Sequence, residues 1–334
     1  MTQNDAIVFE GEGRVTHERR PTPEPDDGEV LIRTERSLVS TGTELTMLSG
    51  EFPEDSHWDH ITDYPFVPGY CNVGRVADVG DDVSEDRVGD RVATHAPHAR
   101  YVTAAADDPV AVPDGVSNDA APLFALAAIV ANGVRRSRLD FGEAAAVYGC
   151  GLLGQLATRF CRFAGAGTVL AVDLADERLA YLPDAPDVAA VDPTRTDPTD
   201  RLEATDGRLA DVVFEVTGNP AAITDEVEAL REQGRLVVLS SPRGETSFDF
   251  HDHCNWPSYE IIGAHASSHP PRETPANQWT RARNAALFFR LVDEGRFDVD
   301  GLVDRVEPPA AAPAVYDDLL DDRTRFMAVE FDWE

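Results

Sequence analysis

Residues 144–160 read AAAVYGCGLLGQLATRF, and this stretch decides the fold. The apolar run AAAVY predicts a buried strand, and LLGQLATRF predicts a helix. Between them, Gly149, Gly151 and Gly154 have the spacing G-x-G-x-x-G. The first glycine makes a tight turn, the second lets the backbone approach a pyrophosphate, and the third lets helix and strand pack closely. The stretch therefore predicts the dinucleotide-binding turn of a Rossmann domain.

The groups around this turn predict which dinucleotide binds. The first helical turn, with Leu152 and Leu153, offers free N–H groups and the positive end of the helix dipole to the phosphates. A second predicted strand, TVLAVD, ends in Asp173, about 20 residues after Gly154. An acid at this distance accepts hydrogen bonds from a ribose and repels a 2′-phosphate, so NAD is favoured over NADP. The alternative is a doubly wound domain that binds no ligand.

The pattern of strands and helices predicts an α/β protein with two domains. Short apolar strands alternate with helices over residues 120–271, which is typical of a doubly wound parallel sheet. The first hundred residues read as short strands broken by Pro and Gly, and a long helix follows residue 272. We predict a Rossmann domain of residues 120–271 and a β-rich domain made of residues 1–119 and 272–334.

Local signals predict several individual elements. Residues 118–134 predict a helix capped by Ser117 or Asn118, and residues 221–232 predict another helix. The Pro- and Asp-rich residues 184–207 are predicted to be mostly surface loop. The sequence HWDH, from His57, is also predicted to lie on a loop.

The composition excludes several partners. The 334 residues include 61 acidic and 29 basic side chains, with no lysine, and the net charge is −32. Such a surface repels nucleic acid and anionic lipid. It is either a surface that excludes acidic partners or, as we favour, a solvated acidic coat suited to concentrated salt. No secretory signal or apolar span is evident, so we expect a halophilic, cytoplasmic protein without membrane or nucleic-acid partners.

From end to end, the chain resembles the medium-chain dehydrogenase/reductase family of zinc-type alcohol dehydrogenases. The resemblance rests on GDRV at residues 89–92, on the Rossmann unit and on ADVVFEVTGNPAAI. It implies a GroES-like catalytic domain and an NAD(P)-dependent oxidoreductase acting on the CH–OH group of a small molecule. It also implies that Arg178, Thr217 and Ser240 contact the cofactor, and that a homodimer or homotetramer forms through the strand YEIIGAH.

The departures from this family concern its zinc ligands. Where the family has C-G-T-D, this chain has TGTE at residues 41–44, and where it has G-H-E, this chain has GYC at residues 69–71. Residues 123–129, the place of the third ligand, contain no Cys, His, Asp or Glu. A catalytic zinc needs three such ligands, so no metal is expected. SLVSTGTE and YPFVPGYCNVGRV resemble most a zinc-less branch that includes bacteriochlorophyllide-type hydroxyethyl dehydrogenases.

Four residues are candidates for catalysis without zinc. By the resemblance, Thr43 contacts the substrate oxygen and Tyr70 replaces a metal ligand, so its phenol is expected to point into the site. Glu44 is a candidate to orient Thr43, and His98 is a candidate general acid. Each residue could instead have a purely structural role. Thr43 could stabilise a turn, Tyr70 could fill space, Glu44 could pair with an arginine such as Arg325, and His98 could be a packing residue.

The leading hypothesis is an NAD-dependent enzyme that interconverts a secondary alcohol, such as a polyol or a larger hydroxylated compound, and its ketone without zinc. One alternative is a zinc-free quinone or enoyl reductase using NAD(P)H, and another is a cofactor-binding protein without activity. A further alternative is a rebuilt zinc site, with ligands drawn from Glu44, His57, His60, Cys71, His95 and His98.

Overall fold

The computed structural model describes residues 3–334, which divide into two compact units. One unit is the chain up to Leu126 together with Ala282–Glu334, and the other is Ala127–Arg281. The sequence puts the domain boundaries after residues 119 and 271. In the structure, the first unit gives way to the second after residue 126, and the chain returns to the first unit after residue 281.

The strands and helices have the following bounds. The strands are β1 (Gln3–Gly11), β2 (Arg14–Pro21), β3 (Glu29–Leu38), β4 (Asn72–Val79), β5 (Arg91–Thr94), β6 (Tyr101–Ala105), β7 (Val110–Ala111), β8 (Ala144–Tyr148), β9 (Thr168–Val172), β10 (Val188–Val191), β11 (Ala210–Glu215), β12 (Leu230–Val238), β13 (Glu260–Gly263), β14 (Arg305–Glu307) and β15 (Val329–Asp332). The helices are α1 (Thr41–Ser49), α2 (His57–Ile61), α3 (Phe124–Ser137), α4 (Leu152–Ala164), α5 (Asp176–Leu179), α6 (Pro198–Asp206), α7 (Ile223–Glu228), α8 (Arg281–Asp293) and α9 (Ala312–Asp321).

The first unit is built on a mixed sheet in the order β14-β15-β3-β4-β5-β7, with β6 also paired to β3 and with the hairpin β1-β2 beside it. Its core lies where β1, α1, α9 and β15 meet, and it includes Phe9, Leu45, Tyr316 and Phe331. The β-rich domain predicted from the sequence is confirmed. The strand β15 enters next to β3, so this sheet contains strands from both ends of the described chain.

The second unit is a parallel sheet in the order β10-β9-β8-β11-β12-β13. Every residue of β8, β9 and β11 is buried, because helices cover both faces of such a sheet. The strand order reverses at β8, where β9 lies on one side and β11 on the other. This is the doubly wound arrangement with its crevice at the switch point, as the sequence predicts.

Two predictions about the second unit are wrong. Residues 184–207 are not mostly loop, since they contain β10 and α6. Helix α6 has the signals of a real helix: the Asp197 side chain accepts from the N–H of Thr199 at 2.8 Å, and Gly207 ends the helix in a left-handed conformation. The helix predicted over residues 221–232 is shorter, because Leu230 already belongs to β12.

Helices replace predicted loops or turns in the first unit as well. HWDH forms the short helix α2 instead of a loop, with the Ser56 side chain accepting from the N–H of Asp59. Helix α1, which the sequence analysis did not predict, forms because Leu45 and Leu48 lie on one face and are buried. Ser117 rather than Asn118 accepts from the N–H of Ala120 before α3. Among residues 3–334, no helix has the length and apolar character needed to cross a membrane.

Candidate active site

The glycine turn after β8 has the geometry that its spacing predicts. Gly149 has a φ of 96°, and a Cβ there would fall 2.9 Å from the carbonyl carbon of Val216. A Cβ at Gly154 would fall 1.8 Å from the carbonyl oxygen of Gly149. Both positions therefore accept only glycine, the first for its conformation and the second for the close approach of α4 to the turn.

Helix α4 presents its N-terminus at this turn. Gly151 precedes its first residue, Leu152 and Leu153 form the start of the first turn, and no side chain caps the helix. A helix of 13 residues has a substantial dipole, and the N–H groups of its first turn lack partners within the helix. The turn and the helix start together form a cradle that fits a pyrophosphate.

Asp173 and Arg178 lie beside the same turn. The Asp173 carboxylate accepts from the N–H of Cys150 at 2.6 Å and from the N–H of Ala175 at 2.9 Å. The Arg178 Nη1 atom is 3.8 Å from Asp173 Oδ2. The Asp173 carboxylate is thus held directly beside the glycine turn. A nicotinamide dinucleotide fits this set of groups: the N–H groups of α4 would hold its phosphates, and Asp173 would hold its adenosine ribose.

A second carboxylate organises the ends of β11 and β12. Glu215 is fully buried, and its Oε1 atom accepts from the Thr217 hydroxyl and the Gly218 N–H, each at 2.8 Å. The Ser240 hydroxyl donates to the other oxygen, Oε2. Thr217 and Ser240, both predicted to contact the cofactor, therefore share one carboxylate that the sequence argument did not include.

In the first unit, Tyr70 is held by two hydroxyl side chains. Its phenolic oxygen lies 2.6 Å from Ser40 Oγ, and Thr43 also hydrogen-bonds to it. Burial, followed by the neighbouring Cys71 thiol, raises the pKa of Tyr70 well above its usual range. The phenol is therefore neutral at physiological pH and keeps its proton. The side chain is only half-buried, so part of it still faces outward.

Glu44 lies in the first turn of α1 and faces inward. It is 1% exposed, and its Oε1 atom accepts from the N–H of Ser40 at 2.7 Å. Its Oε2 atom lies 3.1 Å from His98 Nε2 and accepts from the Tyr316 hydroxyl. Glu44 thus fixes the backbone of the residue whose side chain holds Tyr70.

His98 is completely buried in the same network. Its Nδ1 atom is 2.7 Å from Ser37 Oγ, which also accepts from the Trp333 indole N–H at 2.8 Å. All three hydrogen bonds can form together when the Ser37 hydroxyl donates to Nδ1 and the Nε2–H group donates to Glu44. A Cβ on Gly69 would lie 2.6 Å from the imidazole, so the ring packs directly against the residue before Tyr70. Both ring nitrogens are engaged inside the protein.

Two other candidates have different partners from those expected. Arg325 does not pair with Glu44; its guanidinium is 2.6 Å from Asp318. His95 packs its ring edge against Phe124, with the ring centroids 5.1 Å apart.

The sequence argument missed five residues of the two clusters, namely Ser37, Ser40, Glu215, Tyr316 and Trp333. Only Glu215 has a local signal, because a glutamate that ends a largely apolar, buried strand is unusual and needs partners. The others are ordinary residues of strands and helices. Their partners come from distant parts of the chain, so no spacing pattern indicates them.

The residues at the family's zinc positions do not fit a zinc ion. Zinc in proteins is bound by thiolate, imidazole or carboxylate groups. Thr41 offers a hydroxyl, and Tyr70 offers a phenol that stays protonated because burial raises its pKa. Residues 123–129 add no ligand of these types.

The alternative of a rebuilt zinc site is not formed by the described side chains. Within residues 3–334, no three His, Cys, Asp or Glu side chains are grouped so that they could hold a metal ion. Burial raises the pKa of the Cys71 thiol well above its usual range, which disfavours the thiolate that zinc requires. His57 and His60 lie on the exposed helix α2.

Comparisons with known proteins agree with both units. Residues 26–114 match the alcohol dehydrogenase GroES-like domain, and residues 153–279 match the zinc-binding dehydrogenase domain, which together cover more than half of the chain. The chain belongs to the medium-chain dehydrogenase/reductase superfamily. It is an alcohol-dehydrogenase-like oxidoreductase.

Relatives within this superfamily act on polyols and sugars. D-guloside 3-dehydrogenase of Escherichia coli K12 is 26% identical over 88% of this chain and 89% of its own length. The (R,R)-butanediol dehydrogenase of Bacillus subtilis is 29% identical over 68% of this chain and 74% of its own length. The crystal structure of the 2R,3R-butanediol dehydrogenase of B. subtilis has the same fold, with a TM-score of 0.80 at 21% identity over 98% and 99% of the two chains.

Proposed function

We propose that this superfamily member is an NAD-dependent dehydrogenase that interconverts a secondary alcohol and its ketone without a catalytic zinc. The observation that carries the proposal is the neutral Tyr70 phenol, held by Ser40 and Thr43 where the family has a zinc ligand. A protonated phenol at this position can stabilise the charge that develops on a substrate oxygen, as the metal does in the zinc enzymes. The named substrates of the relatives support a polyol or a larger hydroxylated compound.

The choice of NAD rests on Asp173. Its carboxylate is fixed by two backbone N–H groups at the edge of the glycine turn, so it cannot swing away from a ribose bound there. A 2′-phosphate on that ribose would meet a fixed negative charge. When bound, the dinucleotide supplies the acceptor or donor of hydride.

In the ketone-to-alcohol direction, the Tyr70 O–H group donates its proton to the substrate oxygen as charge develops there. The Ser40 and Thr43 hydroxyls then hold the phenolic oxygen in place, since both hydrogen-bond to it. In the alcohol-to-ketone direction the phenolic oxygen accepts the proton of the alcohol, so this direction requires Tyr70 to have given up its own proton first. Glu44 and His98 act indirectly, as positioning residues. Glu44 fixes the backbone at Ser40, and His98 holds Glu44.

The test is a substrate panel of secondary alcohols, polyols, ketones, quinones and enones, assayed with NAD and NADP in high salt. We expect turnover with a secondary alcohol or its ketone, and activity that survives a chelator in a sample without stoichiometric zinc. One zinc per chain, with activity lost to the chelator and restored by zinc, would refute zinc independence. Turnover confined to quinones or enones would favour the reductase alternative.

We also propose that the chain forms a homodimer or homotetramer through β13. This strand is the last in its sheet, so its outer backbone groups have no partner strand within residues 3–334. Its Ile261 side chain is 44% exposed. An exposed apolar edge strand pairs readily with a second copy. Light scattering in high salt should give a mass of two or four chains, and a mass of one chain would contradict the proposal.

A further inference from the structure

Glu215 gathers three hydrogen-bond donors at the carboxyl end of β11. The Thr217 hydroxyl and the Gly218 N–H meet Oε1, and the Ser240 hydroxyl meets Oε2. Thr217 Oγ also accepts from the N–H of Asn219 at 3.0 Å, so its own proton is free to point at the carboxylate. The buried carboxylate is therefore satisfied entirely by the two loops that follow β11 and β12.

This arrangement fixes the direction of the Ser240 hydroxyl. A serine hydroxyl has one proton and two lone pairs. Because Ser240 gives its proton to Glu215, its oxygen can only accept hydrogen bonds from any other molecule. Ser240 is a partly exposed residue just after β12, and a Cβ on Gly218 would lie 3.9 Å from its Oγ atom.

The sheet order indicates which part of a dinucleotide reaches Ser240. Asp173 follows β9 and the glycine turn follows β8, so the adenosine half and the pyrophosphate lie over these two strands. The other half must continue across the ends of β11 and β12. The loop at Thr217 is already in contact with the glycine turn, since a Cβ at Gly149 would lie 2.9 Å from the Thr217 nitrogen.

Resting on the proposed use of NAD, we propose that Glu215 is a positioning residue that makes Ser240 Oγ an acceptor for the N–H of the nicotinamide carboxamide. The carboxamide of nicotinamide has both an N–H donor and a carbonyl acceptor. A fixed acceptor binds only the donor end, so Ser240 sets the rotation of the amide and, through it, the position of the ring.

The neighbouring carboxyl of Glu226 is consistent with this role of Glu215. Glu226 is buried, and neither of its oxygens has a hydrogen-bond partner. Burial, and then repulsion from Glu215, raises the pKa of Glu226 to about 9. Glu226 is thus uncharged at neutral pH, and Glu215 is the carboxyl of the pair that the three donors face.

The test is Glu215→Gln in the full-length protein. The Thr217 and Gly218 donors hold the amide oxygen of the new glutamine at the Oε1 position, which turns its NH₂ group toward Ser240. Ser240 must then accept from this NH₂ and point its own proton outward. The substitution therefore converts Ser240 from an acceptor to a donor without changing the shape of the site.

Three probes separate this effect from loss of the site. They are NAD, its 3-acetylpyridine analogue, which is equally charged but has a methyl ketone in place of the amide, and ADP-ribose, which lacks the nicotinamide. In titration calorimetry, wild type should prefer NAD over the analogue by about fivefold to tenfold, the worth of one hydrogen bond. In Glu215→Gln and in Ser240→Ala the ratio should fall to about 1. ADP-ribose should bind all variants within about twofold of wild type.

The exposed Glu203 provides the control, because Glu203→Gln makes the same change of charge on α6 and should leave every ratio as in wild type. An unchanged ratio in either Glu215→Gln or Ser240→Ala overturns the inference. If Glu215→Gln loses ADP-ribose binding as well, the loops no longer keep their shape in that variant. The ratio measured in Ser240→Ala then tests the inference alone. Wild type that binds no dinucleotide refutes the proposed function itself, whereas NAD binding with unchanged ratios refutes only the role of Glu215.

Discussion

Substituting Gly154 and Gly151 separately should distinguish the packing of the glycine turn from its contact with phosphate. In Gly154→Ala the new Cβ would lie 1.8 Å from the carbonyl oxygen of Gly149, whereas Cβ contacts in proteins stay above 3.0 Å. Helix α4 and the turn must therefore separate by about 1 Å. Overpacking of this kind costs about 1–3 kcal/mol, which lowers the melting temperature of a unit of this size by about 3–10 °C.

At Gly151 there is room for a side chain. A Cβ there would meet only the Arg178 guanidinium at 3.8 Å, an ordinary contact, so Gly151→Ala should keep the melting temperature of wild type. The added methyl group would nevertheless stand on the surface that faces the pyrophosphate.

We therefore expect both variants to bind NAD at least tenfold more weakly in calorimetry, but only Gly154→Ala to lose stability in thermal unfolding. Wild-type NAD affinity in Gly151→Ala would show that the phosphates do not bind at this turn. Wild-type stability in Gly154→Ala would refute the close approach of α4 to the glycine turn.

The remaining predictions concern the proton donor, the cofactor and salt. Tyr70→Phe should lower turnover by about 10²–10⁴ while leaving NAD affinity within about twofold, and unchanged turnover would reduce Tyr70 to a space-filling residue. Asp173→Ala should reduce the preference for NAD over NADP measured as kcat/KM, and equal use of both cofactors by wild type would contradict its role. With a net charge of −32, the melting temperature should rise steeply between about 0.1 and 2 M KCl as self-repulsion is screened, and a flat dependence would refute the halophilic interpretation.

The Rossmann unit could be predicted because its signals are local. The strand, the three glycines and the helix of the dinucleotide turn all lie within residues 144–164, and each constrains the backbone by itself. Asp173 follows from the same logic, since the end of the next strand returns to the same edge of the sheet. Only half of the error in residues 184–207 has a physical reason: β10 is four residues long and is stabilised by pairing with β9, which no local pattern reveals. Helix α6 does have local signals, the cap at Asp197 and the stop at Gly207, and it could have been predicted.

The cluster proposed to be catalytic was only partly predictable. Thr43, Glu44, Tyr70 and His98 could be named, but their mutual contacts could not. Glu44 and His98 are 54 positions apart in the sequence, and Tyr316, which donates to the same carboxylate, is 272 positions from Glu44. Such contacts depend on the topology of the sheet, so the inward orientation of Glu44 appears only in the folded chain.

The discontinuous first unit has a consequence for how the chain folds during synthesis. The second unit is a single stretch, Ala127–Arg281, and it can fold as soon as it has left the ribosome. The edge of β3 that pairs with β15 must remain open until residues 329–332 have been made. Throughout this interval a nascent sheet exposes an unpaired edge, which is a site for aggregation. Wherever the ionic strength leaves this charge unscreened, the acidic composition also keeps neighbouring nascent chains apart.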